Sequence, residues 1–243
     1  MRLTRVHVPG PLAAGSLCTV RGDAAAHIAR VLRLGVGASL AVFDGAGGEY
    51  CARIEAVRKG EVVVALGARR EGETESPLRL TLAQGVSRGE RMDWVVQKAV
   101  ELGVERIVPV LTERSVVRVD AAQARNKQRH WHGIAVAACE QSGRRRLPQV
   151  TAVLTLDAFL AALPEEGLRV LPSPQSAAGL AALPPAASEA LVLIGPEGGL
   201  TEREAGAALA RGFLPVRLGP RVLRTETAAV VALTLLQQRF GDL

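Results

Sequence analysis

Two segments near the C-terminal end share one design. LVLIGPEGGLTERE (Leu191–Glu204) and LGPRVLRTETAAVVAL (Leu218–Leu233) each run from apolar residues through a Gly/Pro turn into helix-forming sequence. Glycine has no Cβ, so such turns let backbone N–H groups approach a ligand closely. Two of them in one region predict a single small-molecule pocket built from two loops.

The rest of the second half keeps the same rhythm. LRLTLAQG, ERIVPVL, GLRVLP, EALVLIG and FLPVRLG read as short strands. Between them, RMDWVVQKAVELGV, DAAQARNKQRHWHGIAVAACEQS, TEREAGAALAR and TETAAVVALTLLQQRF read as helices. Alternation of this kind predicts a parallel sheet with helices on its faces. Ligands bind at the C-terminal strand ends of such sheets, where both Gly/Pro turns fall. LPSPQSAAGLAALPPAAS reads as a surface loop. ARREGETESP, polar and ending in proline, reads as a linker. Before it lie β-leaning stretches (RLTRVHV, SLCTV, SLAVFDG, EYCARIEAV, EVVVALGA), a hairpin turn DGAGGE, and one helix, DAAAHIARVLR, with Asp23 as its expected N-cap. The pattern predicts an α/β second domain and a small β-barrel with one helix before it, divided as 1–72 and 73–243.

Composition narrows the function. The 243 residues carry a net charge of +6, which favours a polyanionic partner, nucleic acid first. Aromatic residues are only 3%, which disfavours a sheet that stacks bases on aromatic rings. RNA contacts should then rest on Arg, Lys and backbone groups. Cys18, Cys51 and Cys139 lie far apart and form no CxxC, so neither a disulfide framework nor a zinc site is expected. This usage fits a reducing, cytoplasmic compartment. No apolar run approaches a membrane span, and MRLTRVHVPG lacks the apolar core of a signal peptide.

GPEGG matches neither GxGxxG nor GxxxxGK[ST]. Glu197 stands where a phosphate-binding loop would want a neutral or basic residue. A carboxylate there suits a cationic or hydroxyl-rich ligand better. A simpler account, a tight turn with Thr201 as N-cap and Glu204 completing a capping box, explains TERE but not GPEGG. Thr225 or Thr227 would likewise cap the last helix without explaining Arg221, Arg224 and Glu226 crowded at its start. Arg144–Arg146 either follow a helix C-terminus, where arginine is at home, or contact phosphate. His130 and His132 are two residues apart and share no helix face, so a surface or packing role is favoured over metal binding. Lys98 and Glu101 read as an i,i+3 pair, and Gly103 as a C-cap. Neither a serine nucleophile elbow nor HExxH occurs.

Taken in order, SRGERMDWVVQKAVELGV, LTERSVV, AACEQSGR, LIGPEGGLTERE and LGPRVLRTETA resemble the 16S ribosomal RNA uridine N3-methyltransferases, the RsmE family of the SPOUT superfamily. HIARVLR adds support. The resemblance spans nearly the whole chain. It implies a C-terminal parallel sheet tied in a deep trefoil knot, a PUA-like N-terminal barrel that holds RNA, and a homodimer with no metal. It implies S-adenosylmethionine as cofactor, on Ile194, Gly195, Pro196, Glu197, Gly198, Gly199, Leu218, Gly219, Arg221, Leu223, Thr225 and Thr227. Leu171 and Pro172 are assigned to the adenosine pocket. The expected substrate is one uridine of the small ribosomal subunit. Arg224 or Arg221 is expected to stabilise the uracil anion, and Glu226 or Glu197 to orient the base or accept its proton; the residues do not choose between the two. Arg5, His27, Arg30 and Arg33, with Arg88, Lys98, Arg114, Arg144 and Arg146, are the expected RNA contacts. The competing readings are a ribose 2′-O-methyltransferase of the same superfamily and a non-catalytic RNA-binding assembly factor. A dinucleotide-binding oxidoreductase is disfavoured by the missing fingerprint.

Overall fold

A computed structural model describes residues 3–72, 74–115 and 120–243. Val116 and Val117 of the LTERSVV motif lie outside the described residues. The chain forms two compact units: one up to Glu75 together with Cys139–Leu147, the other Ser76–Ala138 with Pro148–Leu243.

The first unit holds β1 (Arg5–His7), β2 (Leu17–Arg21), α1 (Gly22–Ala26), β3 (Ser39–Phe43), β4 (Glu49–Arg58) and β5 (Glu61–Arg69). They form one mixed sheet in the order β1-β3-β4-β5-β2, with β1 and β3 parallel. Side chains alternate across a strand, so Val62, Val64 and Leu66 of β5 and Ala52 and Ile54 of β4 face one core with Val6, Leu40 and Val42. The predicted helix is shorter than read. α1 gives way to a π-helical turn at His27–Val31, and Arg33 takes a left-handed φ of 53°. Asp23 is not its cap: Arg21 holds that position and Asp23 falls in the first turn.

A charged cluster is buried in this unit. Glu49, 2% exposed, accepts from Arg5 Nε at 2.6 Å, Arg70 at 3.2 Å and Arg145 Nε at 3.0 Å. Arg5 also donates to the Cys139 and Arg144 carbonyls and lies over the Phe43 ring. Glu75 accepts from the Arg144 guanidinium at 2.6 Å and from the Arg145 and Arg146 N–H groups, both at 3.0 Å. Arg145 completes its bonds on the carbonyls of Arg70, Glu71 and Gly72. The expectation that Arg5 and Arg144 grip RNA is thereby corrected. Both are under 8% exposed, with their donors engaged inside the protein.

The second unit holds β6 (Arg79–Gly85), α2 (Glu90–Glu101), β7 (Arg106–Leu111), α3 (Ala121–Ser142) except for its last turn from Cys139, which belongs to the first unit, β8 (Gln149–Val150), β9 (Leu154–Thr155), α4 (Leu156–Ala161), β10 (Leu168–Pro172), β11 (Glu189–Ile194), α5 (Glu202–Ala210), β12 (Leu214–Val216) and α6 (Thr225–Phe240). The α/β expectation holds: the sheet runs β12-β10-β11-β6-β7-β8, β9 also pairs β7, and the pairings are parallel. Met92, Val95, Val96, Ala99 and Val100 form the buried stripe of α2. Gly103, read as the C-cap of α2, stands one residue beyond it: Leu102 is the cap and Gly103 takes φ 79°. α4 and α5 pack with Ala83, Val108, Leu171 and Leu193 in one core. α6 lies on β6 and β11 and against α2. Trp131 is buried and donates to Asp93 at 3.1 Å, while His130 and His132 on either side of it are exposed, in keeping with a surface role. Lys98 is held by Glu101 at 2.9 Å, as its spacing indicated. Among the described residues no helix is long and apolar enough to cross a membrane.

Removing one partner of a buried ion cluster strands the others, at a cost of about 3–5 kcal/mol. Glu49→Gln should therefore lower the urea midpoint by that much stability with an unchanged m-value. A loss below about 1 kcal/mol, as for exposed pairs, would show that the cluster does not hold this unit together.

Candidate functional site

The order β12-β10-β11 sets three strand ends side by side, and their loops enclose a cleft of about 640 Å³. Its apolar wall is Leu171, Pro172, Ile194, Leu218 and Leu223. Gly195, Pro196, Glu197, Gly198, Gly199, Gly219, Arg221, Arg224, Thr225 and Glu226 also line the cleft. All the residues expected to bind the cofactor or act in catalysis line this one cleft, except Thr227, which is exposed outside it.

Close backbone packing shapes the first loop. A Cβ added to Gly85, at the end of β6, would strike the backbone of Gly195 and Pro196. A Cβ on Gly195 would come within 3.1 Å of Gly199, which itself takes φ 68°. Thr201 caps α5 in a full capping box with Glu204, as the sequence indicated. The second loop departs from expectation: neither Thr225 nor Thr227 caps α6. The N-cap is Arg224, without a side-chain bond. Thr225 is buried, and its hydroxyl donates to Gly195 O at 2.6 Å and accepts from Gln84 Nε2 at 2.9 Å.

The acidic residues of the cleft differ in their partners. Glu197 accepts from Arg91 at 2.7 Å and from the Arg88 N–H at 3.1 Å. Desolvation raises its pKa, but hydrogen bonds from its own backbone, Arg91 and Arg88 outweigh that and leave it below the ordinary carboxylate value. A carboxylate so occupied is a weak base, so Glu197 braces the loop. Glu226 is half-buried, and its Oε2 has no hydrogen-bond partner among the described residues. Arg221 and Arg224 are exposed at the same rim. Arg114 also lines the cleft but is turned to the loop, donating to Gly198 O at 3.0 Å and Leu200 O at 3.4 Å.

Of the other basic residues read as RNA contacts, Arg30, Arg33, Arg88 and Arg146 are exposed and His27 is half-buried. Sequence reasoning missed Gln84, Gly85, Arg91 and Val222. Arg91 stands inside a motif already singled out, and the glycine closing strand LTLAQG was the available signal for Gly85.

An apolar cleft of this size, with bare glycine backbone and an orphaned buried carboxylate oxygen, suits a ligand that carries both an apolar body and hydrogen-bond donors.

Residues 74–237 match the RNA methyltransferase domain family, and residues 20–66 match the RNA methyltransferase PUA domain. The ribosomal RNA small subunit methyltransferase E of Bacillus subtilis is 30% identical, covering 89% of this chain and 88% of its own. A Legionella pneumophila protein, Lpg2936, solved with its bound cofactor S-adenosylmethionine, is 40% identical over all of both chains, with a TM-score of 0.96. A ribosomal RNA small subunit methyltransferase E from Neisseria gonorrhoeae, solved bound to S-adenosylmethionine, is 34% identical over 99% of each chain, with a TM-score of 0.93. With a parallel α/β sheet, a cleft at its strand ends and relatives of this kind, the chain belongs to the ribosomal RNA small subunit methyltransferase E family and is an rRNA methyltransferase.

Proposed function

We propose that the protein transfers a methyl group from S-adenosylmethionine to N3 of one uridine of 16S rRNA, presented in the small ribosomal subunit. The observation that carries this reading is the single cleft that gathers both Gly/Pro loops, with Arg221, Arg224 and Glu226 at one rim. Residues 1–72 would be a PUA-like barrel that holds the RNA, and residues 73–243 a trefoil-knotted SPOUT domain. The proposal extends to a cytoplasmic homodimer. Support comes from the family membership, the two domain families matched and the parallel strand order.

The cleft residues fit the donor. Leu171, Pro172, Ile194, Leu218 and Leu223 offer an apolar seat for the adenosine, and Gly195–Gly199 and Gly219 offer backbone groups unshielded by side chains. When bound, S-adenosylmethionine supplies a methyl group already activated by a sulfonium charge. The chain must handle the other half of the chemistry. Uracil N3 carries a proton and is a poor nucleophile until that proton leaves. Glu226, whose buried Oε2 has no partner among the described residues, accepts the proton. Arg224 or Arg221 offsets the negative charge that develops on the uracil carbonyls. Glu197, tied to Arg91, keeps the loop in shape. Arg30, Arg33, Arg88 and Arg146 supply phosphate contacts, with His27 beside the first two in sequence.

Labelled methyl transfer to undermethylated small subunits, followed by nucleoside analysis, should yield N3-methyluridine; ribose methylation alone would overturn the assignment. Glu226→Gln should lower single-turnover transfer by about 10²–10⁴-fold, the range for a general base, and still bind the donor. Gly85→Ala should abolish donor binding in calorimetry, because the new Cβ displaces the Gly195–Pro196 backbone; unchanged affinity would show that this loop is not the seat. RNA affinity should fall steeply with salt, and Arg30→Ala with Arg33→Ala should shrink the log–log slope by about two, roughly one per phosphate contact. An unchanged slope would remove both from the RNA surface.

A further inference from the structure

Glu204 is the third residue of α5, where a capping-box carboxylate needs to make a single bond, accepting the N–H of the capping threonine. Here it makes two. Oε2 accepts from Thr201 N at 2.9 Å, and Oε1 accepts from Glu113 N at 2.8 Å. The residue is 1% exposed. The helix needs only the first bond. The second joins the first turn of α5 to the turn after β7, at a residue 91 positions earlier in the chain.

That turn is built to hold. Thr112 N donates to Ser115 Oγ at 3.0 Å. The Glu113 side chain reaches back to α5, accepting from Arg203 Nε at 2.6 Å. Hydrogen bonds from Arg203 and then Thr201 keep its carboxyl below the ordinary value. Arg114 donates to the carbonyls of Gly198 and Leu200, and a Cβ on Gly198 would stand 3.0 Å from the Arg114 Cβ. The loop after Gly195 is therefore held from one side by consecutive residues of one turn.

We infer that Glu204 is a positioning residue for the methyl donor, clamping the Gly195–Gly199 loop onto the Thr112–Ser115 turn in the shape that the donor meets. It lies outside the cleft lining and acts through the loop. The inference rests on the reading that this loop seats S-adenosylmethionine.

Glutamine serves as well as glutamate in a capping box, but it has one acceptor oxygen where this site uses two. Glu204→Gln keeps the cap and turns an NH₂ group toward one of the two backbone N–H groups. Thr201→Ala does the reverse: it loses the cap hydroxyl, together with that hydroxyl's bond to the Glu113 carboxylate, and keeps both bonds of the Glu204 carboxylate. Calorimetry with S-adenosylmethionine, thermal melting and steady-state kinetics on the full chain separate the two. Glu204→Gln should raise the donor Kd and KM about tenfold and leave kcat at saturating donor within about twofold, while Thr201→Ala lowers the melting temperature and leaves Kd within about twofold. Equal Kd in Glu204→Gln and wild type, or a Kd rise in both variants that follows their loss of melting temperature, would overturn the inference. Should Glu204→Gln not fold, Arg203→Ala, an exposed residue outside the cleft, decides: a Kd raised about threefold supports the clamp, and an unchanged Kd overturns it. Absence of donor binding by the wild-type chain would instead overturn the donor reading itself, and the inference with it.

Discussion

The cleft depends on one chain of buried hydrogen bonds. Gln84, fully buried at the end of β6, donates to the Thr225 hydroxyl, which donates to the Gly195 carbonyl. Three segments far apart in sequence meet there: a strand end, the first Gly/Pro loop and the start of α6. Each bond contributes only about 1 kcal/mol net, but leaving any member unpaired in this dry setting costs about 1–3 kcal/mol. The asymmetry holds the loops in register. It has a second consequence at α6. Thr225 is drawn inside the helix as its first residue, the N-cap position falls to Arg224 with no side-chain cap bond, and the first turn stands at the rim beside Arg224 and Glu226. The fold thus leaves polar groups unspent where the ligand arrives.

The arginines show how position divides one residue type into two kinds of work. Arg144, Arg145 and Arg146 are adjacent in sequence, yet the first two are buried on Glu75 and Glu49 and only the third is exposed. Burying a guanidinium demands a carboxylate and several carbonyls in place before water is removed. Glu49 and Glu75 supply the carboxylates, and Arg70, Glu71 and Gly72 the carbonyls. The positive charge that reaches solvent, and hence any phosphate, comes instead from exposed residues such as Arg30, Arg33 and Arg146.

This division explains what was legible in the sequence. The strands and helices of the second unit could be read because their signals are local: a period of two or 3.6, a Gly/Pro turn, a Thr–Glu capping box. The two glycine loops of the cleft were legible for the same reason, but the order β12-β10-β11, which sets β10 between the strands that carry them, was not. What escaped reading depended on partners distant in the chain. Thr225 looks like a cap until Gly195 is brought beside it. Arg5 and Arg144 look like phosphate ligands until Glu49 and Glu75 fold onto them. Gly85 looks like an ordinary strand end until the backbone of Pro196 is packed against it. α4, at six residues, is too short to show a period of its own.

The three glutamates around the donor loops illustrate how environment assigns chemistry. Glu204 is buried with each oxygen bound to a backbone N–H, so it can only hold. Glu197 is nearer solvent, but Arg91 and the Arg88 N–H already occupy it and keep its proton affinity low. Glu226 alone keeps a buried oxygen without a partner among the described residues, at the cleft rim and beside two exposed arginines. A carboxylate can take a proton from a substrate only if an acceptor is free and the loss of charge leaves no partner stranded. Of the three, Glu226 meets both conditions. Under the proposed reaction, the acid–base work then falls to the residue that the fold has left least satisfied, while its two neighbours keep the pocket still enough for that work to be aimed.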